Sequence, residues 1–297
     1  MTALVSSALV PDLLDPEEGT PRGRRGVRAG LARLRAVPPT VLLSFLVLLV
    51  VIAWSVAPSL FTSFNPVAGD TSEKLQAPSA AHWFGTDNLG RDLLARVIYG
   101  TESSVASALV AVVIAVVVGG VIGLVAGFFG GWLDATLARI VDVLLAIPSF
   151  LLAVVVVSSL GFDTINAAIA TGISAVAVFA RVMRAETLKV RQAVYVESSV
   201  LQGGSRWHIL LAHVLPNASR SVIALSVLQF GMSILIIAGL AFLGYGDPPP
   251  ASDWGLLVSA GKDYMVSSPW LVYAPALVIV AVVLSVNRIS RWIRKVG

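Results

Sequence analysis

The sequence predicts an all-α polytopic membrane protein with six transmembrane helices and both termini on the cytoplasmic side. Three observations lead there. The chain of 297 residues is 57% hydrophobic and only 13% charged, where a soluble domain carries about a quarter charged residues. Its mean hydropathy is +0.86. The charges are also clustered, leaving uncharged runs at 36–69, 103–133, 143–162, 164–180, 221–246 and 264–287. A spanning helix needs about 20 mostly apolar residues, so one such run fits a buried soluble core but six do not.

The third observation is the placement of the basic residues. With the N-terminus inside, 17 of the 21 Lys and Arg fall on cytoplasmic segments, and only Lys74, Arg91, Arg96 and Lys262 fall outside. Lys and Arg concentrate on the cytoplasmic side of membrane proteins, so the sequence pI of 9.7 reads as topology and not as nucleic-acid binding. There is no cysteine, which excludes disulfides, thiol nucleophiles and cysteine metal ligands.

Residues 1–38 read as a basic cytoplasmic tail. No basic region precedes the first apolar residues, Pro11 interrupts them, and Asp15, Glu17 and Glu18 follow, so this is not a secretory signal. Pro21–Arg35 is a basic stretch placed to meet anionic lipid. The first span is expected at 39–59, behind Pro38 and Pro39, with Trp54 as an interfacial anchor. An extracytoplasmic segment, 60–102, follows. Leu93, Leu94, Val97 and Ile98 share one helical face, so its last part is expected to lie along the interface before the second span turns inward.

The second span, 103–127, carries Gly119, Gly123 and Gly127, and Gly131 continues the spacing just beyond it. Small residues at every fourth position let helix backbones approach closely in lipid. The third span, 137–160, follows Asp134 and is expected to pair Arg139 with Asp142 along one face and to kink at Pro148. The fourth, 164–182, contains Asn166, Thr171 and Ser174. The fifth, 219–243, contains Ser226, Gln229 and Ser233. Gln229 is the most polar residue deep in a span, and either bonds a neighbouring helix or lines a pathway. After an extracytoplasmic segment, 244–268, the sixth span, 269–288, is expected to bend at Pro275, and 289–297 is a cytoplasmic basic tail.

Between the fourth and fifth spans lies the polar segment 185–217, containing YVESSVLQGGSRWHILLAHVLPN. Residues 185–202 suit a helix. Gly203–Gly204 stops it, and Ser205 is placed to cap a second short helix. That helix is expected to reach Val214, with Pro216 and Asn217 ending it and starting the fifth span. Short helices of this kind cannot cross a bilayer, but they can present a face to a partner's groove. The chain has no G-x-x-x-x-G-K-[ST] phosphate loop, so ATP energy can reach it only through a partner. His82, His208 and His213 lack metal-ligand spacing and read as structural or interfacial. No catalytic triad or paired-carboxylate arrangement stands out, so no catalytic site, metal or bound cofactor is expected.

Glu197, Ser198, Ser199, Leu201, Gly203, Ser205, Leu215 and Pro216 together resemble the cytoplasmic "EAA" loop of permeases from binding-protein-dependent ABC importers, with Ser–Ser in place of Ala–Ala. The stretch His82–Ser104, including Gly85, Thr86, Asp87, Gly90, Arg91 and Asp92, is similar to the C-type permease subunit of dipeptide and oligopeptide importers. So are Arg139–Leu152, with Arg139, Asp142 and Pro148, and Phe242–Gly255, with Trp254 and Gly255. The resemblance covers residues 35–288. The chain departs from the family at Glu102, where a basic residue is common, and in its tail after Asn287.

The resemblance implies a type I ABC importer permease fold, with the transmembrane domain over 99–288, in the cytoplasmic membrane of a bacterium. It implies a heterodimer with a B-type permease. It also implies two cytoplasmic ATPase subunits, or one fused ATPase, that hold ATP and Mg, and an extracytoplasmic peptide-binding protein. Glu197 would then anchor the loop in the ATPase near a basic residue, and Gly203 would permit a close backbone approach. The implied cargo is a dipeptide or oligopeptide. The same fold importing nickel, glutathione or another small solute is the near alternative. A self-sufficient secondary transporter or channel is the alternative of a different class, and would show intramembrane charges and inverted repeats.

Overall fold

A computed structural model describes residues 38–296, with side chains to Ile293. The expected basic stretch at 21–35, the remainder of the tail up to 37, and the side chains of Arg294 and Lys295 lie outside the described residues. The chain is all helical over these residues, apart from connecting turns and one isolated bridge between Thr86 and Asp92.

Helix α1 spans Pro39–Val56. Helix α2, Leu93–Ile114, passes through a π-helical turn, Ala115–Gly119, into α3, Gly120–Phe129. Helices α4, Gly131–Ala146, and α5, Ser149–Leu160, are followed by α6, Thr164–Arg191. The short α7, Val194–Leu201, precedes a single turn, α8, Arg206–His208. A second π-helical stretch, Ile209–Val214, leads into α9, Leu215–Phe242; α10, Trp254–Gly261, and α11, Trp270–Val296, complete the chain. Five continuous segments are long and apolar enough to cross a membrane, and α4 with α5 makes a sixth if that bent pair counts as one.

Several boundaries differ from expectation for physical reasons. The segment after Asp92 does not turn along an interface: Leu93–Phe129 is one 37-residue helical run. At 1.5 Å per residue it is about 55 Å long, longer than the hydrocarbon core, so its start projects from the membrane. Pro148 does more than kink the third span. Ile147 is extended at φ −91°, ψ 128° and the two helices meet at 95°, because the residue before proline is disfavoured in the helical region. Pro216 does not end a helix. The run Arg206–Phe242 is continuous, with the π-helical stretch just ahead of the proline. Such a stretch shifts the hydrogen-bond register where a backbone donor is missing. Helix α6 continues to Arg191, and α11 to Val296.

Helix α6 is the axis of the bundle, packing against α2, α3, α4, α5 and α9. Its apolar window is 61% buried, against 17% for α1. Glycine sets its distance from α3. A Cβ at Gly119 would sit 2.5 Å from the Val176 carbonyl oxygen, one at Gly123 would sit 2.3 Å from that of Ala180, and one at Gly127 would touch the Thr187 side chain at 2.8 Å. The fourth glycine of the expected stripe, Gly131, faces open space at φ +61°; it belongs to the turn into α4. The start of α1 touches the end of α11, with Arg288 Nε donating to Thr40 Oγ1 at 2.9 Å and Phe45 edge-on to Trp292.

Chain direction gives the bundle two ends. One carries residues 192–205 between α6 and α9, and the other carries 57–92 and 243–269.

Candidate coupling surface and the motif end

At the α7 end, local chemistry builds the loop. Helix α7 closes with Gln202 N–H donating to Ser198 O at 3.1 Å, Gly203 N–H to Val200 O at 3.0 Å and Gly204 N–H to Ser199 O at 3.0 Å. Gly203 takes φ +83°, the left-handed C-terminal stop that glycine favours. Within this chain no close approach is made at Gly203, since nothing lies within 4 Å of its Cβ position. It occurs one residue later, where a Cβ at Gly204 would meet Ser199 O at 2.8 Å and Ser199 Oγ at 3.0 Å. The second small position of the loop is therefore packed against the turn. Ser205 caps as expected, its Oγ accepting from His208 N–H at 3.2 Å.

The loop is pinned by its inward face. Val196 is buried with Ile209, Leu210, Val214 and Ala218, in a cluster that also takes in Phe179 and Met183 of α6. Its outward face carries apolar side chains: Val194, Leu201 and Trp207 are 78%, 83% and 65% exposed. Contiguous apolar exposure of this kind marks an interaction surface. Glu197 and Ser198 are exposed beside it, Leu215 is half-buried and Pro216 is exposed. Ser198 Oγ donates to Val194 O at 2.9 Å, within its own helix.

The charges near this end pair across helices. Asp134 of α4 accepts from both Arg184 Nε and Nη2, the latter at 2.7 Å, and Arg181 Nη2 donates to Asp142 Oδ1 at 2.5 Å. The expected Arg139–Asp142 pair does not form; Arg139 is exposed and α6 claims the aspartate. Helices α4 and α6 run antiparallel, which lines up residues some 40 to 50 positions apart. Among the described residues Gln229 bonds no neighbouring helix: its Nε2 reaches Ser233 Oγ of its own helix at 3.5 Å.

At the opposite end, the motif residues form a buried network. Asp87 Oδ1 accepts from the backbone N–H of Leu89 and Arg91, at 2.8 and 3.0 Å. Its Oδ2 accepts from Arg91 Nε at 2.7 Å and Arg96 Nη1 at 2.9 Å. Arg96 then reaches Ala251 O at 2.9 Å. Thr86 ties Gln76 and Glu73 together, and Trp270 Nε1 donates to Thr86 O at 3.4 Å. Asp92 caps α2 through Ala95 N–H and holds His82 Nδ1 at 2.8 Å, while His82 Nε2 faces Glu73 at 3.4 Å. Gly85 and Gly90 take φ +75° and +74° against the Gln76 and Asp70 carbonyls. Trp254 donates to Val97 O at 3.1 Å, and a Cβ at Gly255 would lie 2.4 Å from Ala238 O. Gly85, Thr86, Asp87, Gly90, Arg91, Asp92 and Trp254 therefore hold the 57–92 segment and the 243–253 turn to the start of α2, while Gly255 lets α10 approach α9. Among the described residues no group of three or more His, Cys, Asp or Glu is arranged to hold a metal ion.

Sequence reasoning missed Arg191, Phe128 and Phe129, which line one side of the loop, and the two α4–α6 ion pairs. The signal for the pairs was present: two aspartates two turns apart face two arginines on the next long helix, and charges near a span need partners.

Residues 119–295 match the family described as binding-protein-dependent transport system inner membrane component. The chain is 36% identical over 259 residues, 87% of its length and 84% of the other's, to the dipeptide transport system permease protein DppC of Alkalihalophilus pseudofirmus. It is 42% identical to the glutathione transport system permease protein GsiD of Shigella flexneri, covering 73% of this chain and 72% of that one. Its fold is similar to a chain of the MetNI methionine ABC transporter solved in inward-facing conformations, with a TM-score of 0.56, 17% identity, and coverage of 69% of this chain and 96% of that chain. The buried motif network, the helical bundle and these matches lead to one conclusion: the protein belongs to the family of inner-membrane components of binding-protein-dependent transport systems.

Proposed function

We propose that the chain is the C-type permease subunit of an ATP-driven importer that carries dipeptides or oligopeptides across a bacterial cytoplasmic membrane. The α7 end faces the cytoplasm, in keeping with the concentration of Lys and Arg on segments at that end. Two ATPase subunits, or one fused ATPase, dock on α7 and hydrolyse ATP. A B-type permease completes the translocation path, and an external binding protein delivers cargo.

The observation that carries this reading is the mechanical placement of α7. Its outward face is apolar and exposed, and its inward face is pinned by Val196 to the run Arg206–Phe242. It also follows α6 after two residues, Gln192 and Ala193. A push on α7 therefore acts on two bundle-spanning helices at once. Closing of the ATPases on ATP tilts α6 and α9 and switches the path between inward- and outward-open states. Gln229, half-buried on α9, is proposed to border that path.

The dipeptide cargo rests on the similarity to DppC over most of the chain. The similarity to GsiD makes glutathione, itself a small peptide, the second reading. Isolating the whole complex with its binding protein and identifying the co-purified ligand by mass spectrometry separates them. A peptide without the glutathione γ-linkage supports the first; glutathione or a nickel complex overturns it.

The docking role is tested with Gly203→Asp. A side chain at φ +83° costs about 1–2 kcal/mol in backbone strain and deforms the exit of α7. Membrane insertion is expected to persist while ATPase co-purification and uptake are lost. Uptake at the wild-type rate would show that this loop does not couple the subunits.

A further inference from the structure

An open groove of about 710 Å³ lies beside α7, between its flank and the end of α3. Its apolar wall is built by Phe128, Phe129, Val196 and Ile209, and its charged groups are Arg191, Arg206 and Glu197. Phe129 stands edge-on to Trp207 at 6.1 Å, closing one side. The charges are held apart: among the described residues none of the three forms an ion pair. The other basic residues of α6 each have a carboxylate, Arg181 with Asp142, Arg184 with Asp134 and Lys189 with Glu186. Arg191 is thus the exception within α6, and Arg206 lines the same apolar groove.

The groove also reaches a hinge. Phe129 ends α3, and Gly130 and Gly131 follow at φ +68° and +61°. A Cβ at Gly130 would lie 3.3 Å from Arg191 Nη1, so the arginine covers the hinge. Beyond it, α4 buries only Val141 and ends at the Pro148 break.

We infer that this groove is a receptacle for an element projecting from the ATPase, apolar on one side and bearing at least one carboxylate. The inference rests on the docking role proposed for α7 and adds a second, reciprocal contact to it. Whereas α7 offers its own face to the partner, the groove receives one from it. Charge complementarity selects the occupant: Arg191 and Arg206 accept the carboxylate in bidentate geometry, and the phenylalanines take the apolar side. Glu197, on the opposite flank, rejects an element that is acidic throughout and orients the carboxylate toward the arginines. Because the occupant leans on Phe129 and displaces Arg191, its arrival is felt at the Gly130–Gly131 hinge. ATPase closure is thereby passed to α4 as well as to α6 and α9.

The test compares the purified permease complex carrying Arg191→Glu with Arg206→Glu, the same positions as Lys, and Glu197→Ala, each titrated with the ATPase in detergent and in proteoliposomes with and without anionic lipid. The reversed pair is expected to bind the ATPase at least about tenfold more weakly, since placing like charges across an interface raises dissociation. The Lys variants keep most of the affinity, and wild-type binding weakens as salt rises. If the reversed pair abolishes assembly with the partner permease, single Arg191→Ala and Arg206→Ala variants are used, each expected to lose severalfold. Wild-type affinity in the arginine variants together with weakened binding in Glu197→Ala overturns the receptacle and leaves the docking role of α7 standing. Unchanged binding in all variants overturns both. A defect that appears only with anionic lipid, with detergent binding intact, assigns the arginines to lipid headgroups and overturns the proposal.

Discussion

Asp253 shows how one residue can serve two demands at once. It caps α10, its Oδ1 accepting from Leu256 N–H at 3.0 Å, while Oδ2 is buried without a hydrogen-bond partner. Burial pushes its carboxyl above the ordinary value of 3.8, the backbone N–H groups of Leu256 and Gly255 pull it down, the Asp247 charge raises it and the Arg96 guanidinium lowers it. A carboxyl raised by folding holds its proton more tightly in the folded protein. Its stabilising contribution is complete below the ordinary value and is lost as pH rises through the folded one. At neutral pH the ionised group is a net burden on the fold. Asparagine caps helices as well as aspartate does, so Asp253→Asn is expected to raise the melting temperature at neutral pH. The gain is expected to shrink as pH falls toward the ordinary carboxylate range. A neutral-pH melting temperature below wild type would show that the carboxylate charge is needed, through Arg96, and not merely tolerated. Arg96 is itself buried beside Arg91 and shares the Asp87 carboxylate with it.

Among the elements, α4 is the one held most by charge. It is bounded by two glycines at positive φ and by a proline break, and it buries one valine. Val141 packs against Ala177 and Ala180 of α6, and the remaining ties are the Asp134–Arg184 and Asp142–Arg181 pairs, whose side chains are partly exposed, 36% and 19% for the first. Pairs of this exposure contribute about 0.2–1 kcal/mol, small enough to be remade in each transport cycle. A cavity of about 70 Å³ behind them, bounded by Ile122, Ala126 and Val141, shows that α4 is not packed tightly onto α3 and α6. Asp134→Arg sets two cations against each other and is expected to cut ATP-driven uptake severalfold with normal insertion. Adding Arg184→Asp is expected to restore most of it. A double variant as impaired as the single would mean that the position of the charge, and not the pair, matters.

On the scale of the whole molecule, the two ends are built differently. The motif end is locked by buried hydrogen bonds among Asp87, Arg96, Thr86 and Trp254, and by glycines pressed against carbonyls. The α7 end is attached by one short apolar face and exposed ion pairs. The docking proposed for the α7 end needs a fixed point elsewhere, and the clamp supplies it. Trp254 is 1% exposed, so Trp254→Ala is expected to cost about 3–5 kcal/mol. It should also free the 243–253 turn, seen as faster amide exchange there than at α7. Loss of protection at α7 instead would mean that the ends are not independent. The 37-residue runs link the two ends through continuous helical backbone.

Much of this protein was legible before folding was considered. Apolar runs, the tally of Lys and Arg, Gly203 and Ser205 are local properties of the chain, and a bilayer turns local hydropathy directly into spans because every backbone group must be satisfied within its own segment. The clamp at the motif end could be recognised by its residues, although not by its bonds. What only the tertiary structure decided were relations between segments far apart. Asp142 and Arg139 are neighbours on one helix, yet Asp142 pairs with Arg181, because α4 packs onto α6 through Val141 against Ala177 and Ala180 and meets its arginines there. The same packing leaves Arg191 and Arg206 without carboxylates and sets Phe129 beside them. Pro216, a helix end by its own chemistry, is carried through by the π-helical turn before it. Sequence sets what each segment prefers; the faces that meet in the bundle determine which preferences are satisfied, and which charges are left for a partner.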